Sequence, residues 1–411
     1  VVASVLAQPL DVRRSAPERR SLVFALSNDS VHRIGPGADL FAVYRAGVQV
    51  RAGRSPFSGA ADPGNPPYAY SYRYLPLVAQ TLGRALAALP PRAAWVAWGL
   101  VNEALLLAFL ALWAASEAAP RRRAAGAACL LASTPYFLEL HMGQFTFAAA
   151  ALACAAFLLF ERARAGAPLR AAAGALFAAG AALKLFPLVA LPALRRDRAA
   201  RAAWLLAAAA LAAATLAHAL RWPLDLGRLA QANLAALSPA PQRGNFGMLY
   251  TLTALAREAG LDALRALYLP LARAWQASVL GAAALLAWRA PGRALALGAA
   301  TLLAAFFLAY QDVWEHHYSG LVVAGLLIAR GAAAVGASPA ERALAWLALA
   351  ALAAPTPFAL LEGRADLTWR SWPGWQQWAV PLSKSGPLFA LYALGLAALA
   401  RAGSRPMPAG R

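Results

Sequence analysis

Long apolar runs alternate with short clusters of arginine along the whole chain. The runs "WVAWGLVNEALLLAFLALWAA" (95–115), "AWLLAAAALAAATLAHAL" (203–220) and "ALALGAATLLAAFFLAY" (294–310) are long enough to cross a bilayer, which takes about 20 apolar residues in a helix. They do not alternate apolar with polar, so a barrel is excluded. The pattern predicts an all-α, polytopic helical membrane protein with about 10–12 transmembrane helices. Residues 1–10, "VVASVLAQPL", read as the tail of a first spanning helix and not as a signal peptide. An outer loop follows at 11–67, then a multi-pass domain over 68–401 and a cytoplasmic tail at 402–411.

Composition sharpens this picture. Hydrophobic residues make up 61% of the 411 and charged residues 14%, against about 25% charged in soluble domains. The formal net charge of +20 invites a nucleic-acid reading. The arginines sit instead in short loops between apolar runs, where positive charge orients helices. Membrane lipids and a phosphate-bearing substrate fit better as partners, and no nucleic acid is expected. Arginine outnumbers lysine 36 to 2, and the lysines stand at 184 and 384. Cys129 and Cys154 lie in apolar runs and read as packing residues.

Basic clusters at 121–123, 161–170, 195–201, 289–293, 330–342 and the C-terminus mark the cytoplasmic side. The opposite junctions are "ELHMGQ" (139–144), "KLFP" (184–187), 221–262, "YQDVWEHH" (310–317) and the Trp-rich segment 362–378. This assignment requires "YLPLVAQTLGRALAALPP" to enter and return without spanning. It also requires "LRAAAGALFAAGAALKLFPLVALPALRR" to form a hairpin of helices. His32, Asp39, His141, Lys184, His218, Asp312, Glu315, His316 and His317 then share the outer end. Ionisable groups at membrane depth are costly and functional as a rule.

Several of these residues admit two readings. Asp39 opens a helix, "LFAVYRAGVQV", lying along the membrane, and is either a helix cap or a reactive carboxylate. Tyr68, Tyr70, Tyr72, Arg73 and Tyr74 return the chain to the interface, as belt residues or as substrate contacts. Gly143, between His141 and Gln144, lets another segment come close. Lys184 either holds a phosphate or snorkels to the surface. Helical spacing places Asp312 and His316 on one face and Trp314 with His317 on another. A divalent cation could use Asp312 and His316, but the spacing specifies no further ligands, and no cofactor is indicated.

In this order the motifs resemble glycosyltransferase family 87, of the GT-C type. They are "ADLFAVYRAGVQVRAGRSPF", "YSYRYLPL", "GQFTF", "ALKLFPL", "RGNFGMLYTL" and "VWEHHYSGLV". Leu75, Thr146, Phe147, Gly247 and Val313 depart from the family pattern. The resemblance implies Asp39 as catalytic residue. It also implies substrate contacts from Tyr44, Tyr72, Arg73, His141, Gln144, Lys184, Asn245, His316 and His317. The implied activity is transfer of a sugar, mannose being commonest, from a polyprenyl-phosphate donor to a lipid or glycan acceptor. Transfer would take place at the outer face of the cell's inner (plasma) membrane, with inversion. The competing reading is a transporter or flippase of a lipid-linked sugar, which predicts internal repeats and discontinuous helices at the midplane; no clear repeat is present.

Overall fold

A computed structural model describes residues 2–7, 10, 36–58, 72–162, 166–233, 245–261, 263, 266–356 and 375–404. His32, Asp62, Tyr68, Tyr70, most of the outer loop and most of the Trp-rich segment lie outside the described residues. No strand occurs among those described.

The helices start where the local sequence supplies N-terminal partners. In chain order they are α1 (Val2–Leu6), α2 (Ala38–Arg51) and α3, built from Pro76–Val78, a π-helical Ala79–Gly83 and Arg84–Leu86. Next come α4 (Pro91–Ser116), α5 (Pro120–Leu131), α6 (Thr134–Met142), α7 (Thr146–Arg162) and α8 (Ala167–Leu183). A 3-10 turn at Phe186–Ala190 leads into α9 (Leu191–Leu194), followed by α10 (Arg198–Arg221), α11 (Leu224–Asn233), α12 (Met248–Glu258) and α13 (Tyr268–Arg289). The chain ends with α14 (Leu295–Ala309), α15 (Tyr318–Ala334), α16 (Pro339–Ala353) and α17 (Gln376–Ser404). Proline occupies the first turn of α4, α5, α6, α8 and α16, where its missing N–H costs nothing. The Asp197 carboxylate accepts from the N–H of Ala199 and Ala200 to start α10. Ser338 and Glu341 form a reciprocal capping box on α16.

Among the described residues, six helices are long and apolar enough to cross a membrane: α4, α10, α13, Gly292–Ala309, Glu315–Ala334 and Trp378–Ser404. Shorter segments join the same two ends of the bundle: α5 with α6, α7, α8, Phe186–Leu194 and α16. This is the all-α polytopic architecture the apolar runs predict. α7 is its axis, buried along most of its length. Its alanines let neighbours approach closely: a Cβ on Gly180 of α8 would lie 2.8 Å from the Ala149 carbonyl, and one on Gly320 of α15 would lie 2.8 Å from the Ala150 Cβ. Small residues permit such contact where lipid supplies no hydrophobic drive.

The basic clusters meet at one end. Arg330 pairs with Glu161 at 3.0 Å and Arg401 with Glu341 at 2.7 Å. Arg195 stacks over Trp288, and Arg162 donates to the Ala115 carbonyl. Lys384 stands towards the other end, where its ammonium donates to the carbonyls of Ala351, Leu352 and Ala354 and closes the C-terminus of α16.

Two expectations change. The segment at 76–86 does not turn back on itself. The backbone stays right-handed helical through Val78, Gly83 and Arg84, giving one short helix that lies against α2 and ends before α4. It escapes crossing because eleven residues rise only about 17 Å. The "KLFP" hairpin is present but unequal, with the 17-residue α8 in one arm and Phe186–Leu194 in the other. Pro187 cannot continue an α-helical ladder. The Leu188 N–H turns to Leu185, and the Leu188 carbonyl takes the Trp204 indole N–H at 2.8 Å.

Candidate active site

Asp39 sits in the first turn of α2, whose start is fixed by a backbone contact. The Gly37 N–H donates to the His141 carbonyl at 2.7 Å, and Gly37 has φ 76°. Opposite it, Gly143 has φ 66°, and a Cβ there would stand 2.6 Å from the Cβ of Leu40. The close approach expected at Gly143 is thus made by α2 itself, which brings Asp39 to Gln144. Residues 40–44 are all buried, so α2 is covered on more sides than a helix lying on a membrane surface.

Asp39 is only partly satisfied. Burial pushes its pKa up to about 6, against the lowering effect of the Lys184 ammonium, a hydrogen bond from the Gln144 side chain and the Arg73 guanidinium. Its Oδ2 is buried and makes no hydrogen bond. Gln144 is held in turn: its Oε1 accepts from the Tyr74 hydroxyl at 3.3 Å and the Phe145 N–H at 3.1 Å, and its carbonyl accepts from the Trp98 indole at 3.2 Å.

Lys184 leaves the end of α8 in extended conformation. Its Nζ donates to the Thr146 hydroxyl at 2.8 Å. Asp39, Glu139, Asp312, His316 and His317 all lie within its electrostatic range. Glu139 is occupied structurally. One oxygen accepts from the Phe147 N–H at 2.5 Å, holding the first turn of α7, and the other accepts from the Ser319 hydroxyl of α15.

The junction from Tyr310 to Trp314 is not helical; only Glu315–His317 forms a turn, of 3-10 type. The i, i+4 pairing of Asp312 with His316 therefore does not arise on a helix. Asn245 sets the junction's path: its Oδ1 accepts from the N–H of Gly247 at 2.7 Å and Val313 at 3.2 Å, and its amide donates to the Gln311 carbonyl. The Phe246 N–H adds a bond to the Val313 carbonyl at 2.6 Å. Burial raises the pKa of Asp312, opposed by Arg73, the Trp314 side chain and Lys184. The histidine rings lie 4.3 Å apart at 63°. His317 Nδ1 accepts from the Trp314 N–H at 3.0 Å, whereas His316 Nε2 is buried without a hydrogen bond. Glu315 turns away, to the Thr356 hydroxyl.

Asp39, Arg73, Gln144, Lys184, His316 and His317 thus share one end of the bundle, with His141 buried beside them. Tyr44 does not join them; its hydroxyl donates to the Leu89 carbonyl at 2.8 Å. Tyr72 is likewise spent on the backbone, donating to Leu75 at 2.5 Å and accepting from Ala79 at 2.9 Å. Asn245 shapes the junction with all of its side-chain atoms. His218 belongs to a separate buried cluster with Asp225 at 2.9 Å and Gln80 at 3.3 Å. Tyr74, read as a belt residue or a substrate contact, completes the site together with Glu139 and Thr146, which had not been singled out as substrate contacts. Glu139 and Thr146 flank "HMGQF", and that proximity was their only signal. Among the described residues, no three His, Cys, Asp or Glu side chains are grouped to hold a metal ion.

The sequence profile of glycosyltransferase family 87 matches residues 76–311. That span contains His141, Gln144, Lys184 and Asn245, and lies between Asp39 on one side and His316 on the other. No curated protein and no solved structure matches the chain. With more than half of the sequence under the profile, carried on an all-helical membrane bundle, the chain belongs to glycosyltransferase family 87 and is a membrane glycosyltransferase.

Proposed function

We propose that the protein transfers a sugar, most simply mannose, from a polyprenyl-phosphate donor to a hydroxyl of a lipid or glycan acceptor. The reaction takes place at the outer face of the membrane and inverts the anomeric carbon. The observation that carries this reading is the convergence of Lys184, Arg73 and His316 around a carboxylate with a free oxygen. The Lys184 and Arg73 cations suit the donor phosphate, which leaves with charge and needs stabilisation more than a proton. The stack of Phe186 on Phe306 at 6.1 Å and of Phe306 on Tyr310 at 5.4 Å offers an apolar wall for a prenyl tail beside Lys184.

The chemistry is a single displacement. The acceptor oxygen forms a bond to the anomeric carbon while the bond to the phosphate oxygen breaks and its electron pair goes to the phosphate. The hydroxyl proton passes to Asp39. The comparison is with inverting glycosidases, where one carboxylate activates the attacking group from the face opposite the leaving group. Asp39 suits this task better than its neighbours: both oxygens of Glu139 are bonded, and Asp312 is held by Trp314 and Arg73. A pKa of about 6 leaves Asp39 mostly ionised at neutral pH, yet basic enough to take a proton.

Asp39→Asn tests the assignment, because it keeps size and removes basicity. The expected protein is folded, binds donor and transfers almost no sugar. Full activity in that variant, or retention of configuration by the wild type, would overturn the mechanism.

A further inference from the structure

The candidate site leaves unused a cavity of about 580 Å³ at the side of α3, lined by Arg51, Thr81, Arg84, Ala85 and Ala88. Its volume is that of a small-molecule site, for which about 300–1,000 Å³ is usual. Thr81, Arg84, Ala85 and Ala88 recur at helical spacing and form one exposed face. Gln80 points elsewhere, to His218. The fifth residue, Arg51, ends α2.

The two arginines are brought together by a glycine crossing. A Cβ on Gly47 would lie 1.9 Å from the Gly83 carbonyl oxygen, and one on Gly83 would lie 2.7 Å from the Val43 carbonyl. Backbones can meet this closely only at glycine. Arg84 follows Gly83 directly, and Arg51 lies about one turn beyond Gly47. The crossing therefore holds two guanidinium groups on one cavity that, among the described residues, no carboxylate lines. Among the described residues, neither makes a hydrogen bond or ion pair. Like charges so placed repel, and a bound anion removes the penalty.

We propose that this cavity binds the phosphate of an anionic phospholipid head group. Several features favour a lipid. The cavity opens on the outer surface of α3, three residues before the spanning helix α4 begins, so it sits where head groups lie. Its alanines form an apolar floor for the glycerol end of the head group, while the Thr81 hydroxyl donates to the Leu77 carbonyl at 2.7 Å and leaves the phosphate to the two guanidinium groups. A helix rise of 1.5 Å per residue puts Arg51 about 18 Å along α2 from Asp39. The site is thus separate from the cations assigned to the donor, and it stands whether or not the sugar-transfer reading does.

The test uses the full chain in detergent, titrated with dihexanoyl phosphatidylglycerol, dihexanoyl phosphatidylcholine and inorganic phosphate. Bound ligand is counted by native mass spectrometry, and thermal unfolding checks that each variant is folded. Phosphatidylglycerol should bind, phosphatidylcholine should not, and Arg51→Gln with Arg84→Gln should weaken phosphatidylglycerol at least about tenfold. Arg257→Gln, an exposed arginine on α12, should leave affinity unchanged. Equal affinity in the double variant, or equal binding of phosphatidylcholine, would overturn the proposal. Inorganic phosphate binding as tightly as the lipid would assign the cavity to free phosphate instead.

Discussion

Lys184→Met separates two jobs that the structure gives to one ammonium group. Lys184 stabilises the ionised form of Asp39, and in the proposed reaction it also holds the donor phosphate. In the wild type the acidic limb of kcat/KM should fall near pH 6, because that parameter reports the free enzyme and Asp39 titrates at about 6 there. Removing the ammonium leaves burial opposed only by Gln144 and Arg73, so the limb must move to higher pH. Nearby opposite charges shift carboxylates by about 1–3 units. With a shift of one unit, the ionised fraction at pH 6 drops from about one half to about one tenth, a roughly fivefold loss from protonation alone. At pH 8 that component nearly vanishes, and the remaining loss reads the phosphate contact. The donor phosphodiester keeps its single charge throughout this range, so it adds no limb of its own. The assay is transfer of radiolabelled mannose from a short-chain polyprenyl-phosphate mannose into a membrane lipid extract, followed from pH 5 to 8.5. Lys184→Arg keeps the charge and should leave the limb near 6. An unmoved or lowered limb in Lys184→Met would refute the coupling to Asp39.

Three further outcomes follow from the same geometry. The folded pKa of Asp39 lies above its ordinary 3.8, so the folded state binds the proton more tightly and stability falls as pH rises from about 4 to 6. Asp39→Asn should therefore be more stable than wild type at pH 7.5, by at most about 3 kcal/mol, with the gap closing below pH 4; thermal unfolding against pH checks the sign. Gly143→Ala combines a left-handed φ with a clash on Leu40; it should fold but lose most transfer, and unchanged kcat/KM would mean that α2 is not held there. Asn245→Ala strips partners from two buried N–H groups, at a cost of about 2–4 kcal/mol. It should lower kcat and thermal stability together, while loss of donor affinity alone would point to direct substrate contact.

The fold was legible because apolar runs and arginine clusters are both dictated by the bilayer. The residues that gather at Asp39 were partly legible for a different reason. Lys184 stood out against a strong arginine bias, and "HMGQ" and "WEHH" placed polar groups where a lipid-facing chain has none. The bias gave a mixed signal, since the other lysine, Lys384, closes a helix end. The sequence could not reveal that Tyr44 and Tyr72 spend their hydroxyls on backbone carbonyls. It was equally silent on Asn245, whose partners are 66 and 68 residues away. Periodicity also misled at 312–317. A helical count presumes a helix, whereas Asn245 supplies the hydrogen bonds that let the junction run irregularly.

That substitution explains how a site forms at the end of an apolar bundle. Irregular backbone near a membrane survives only if its polar groups find partners inside the protein. Two such contacts hold this site, the Gly37 N–H on the His141 carbonyl and the Phe246 N–H on the Val313 carbonyl. The first fixes the start of α2 and hence Asp39; the second fixes the approach to His316. Glu139 ties both to the axis, with one oxygen on the first turn of α7 and the other on Ser319 of α15. Asp39 Oδ2 and His316 Nε2 are among the buried side-chain atoms that make no hydrogen bond. Buried polar atoms without partners are costly in a folded protein. Asp39 Oδ2 and His316 Nε2, both on residues within electrostatic range of Lys184, are the atoms the proposed reaction would employ, one to receive a proton and the other to meet the departing phosphate.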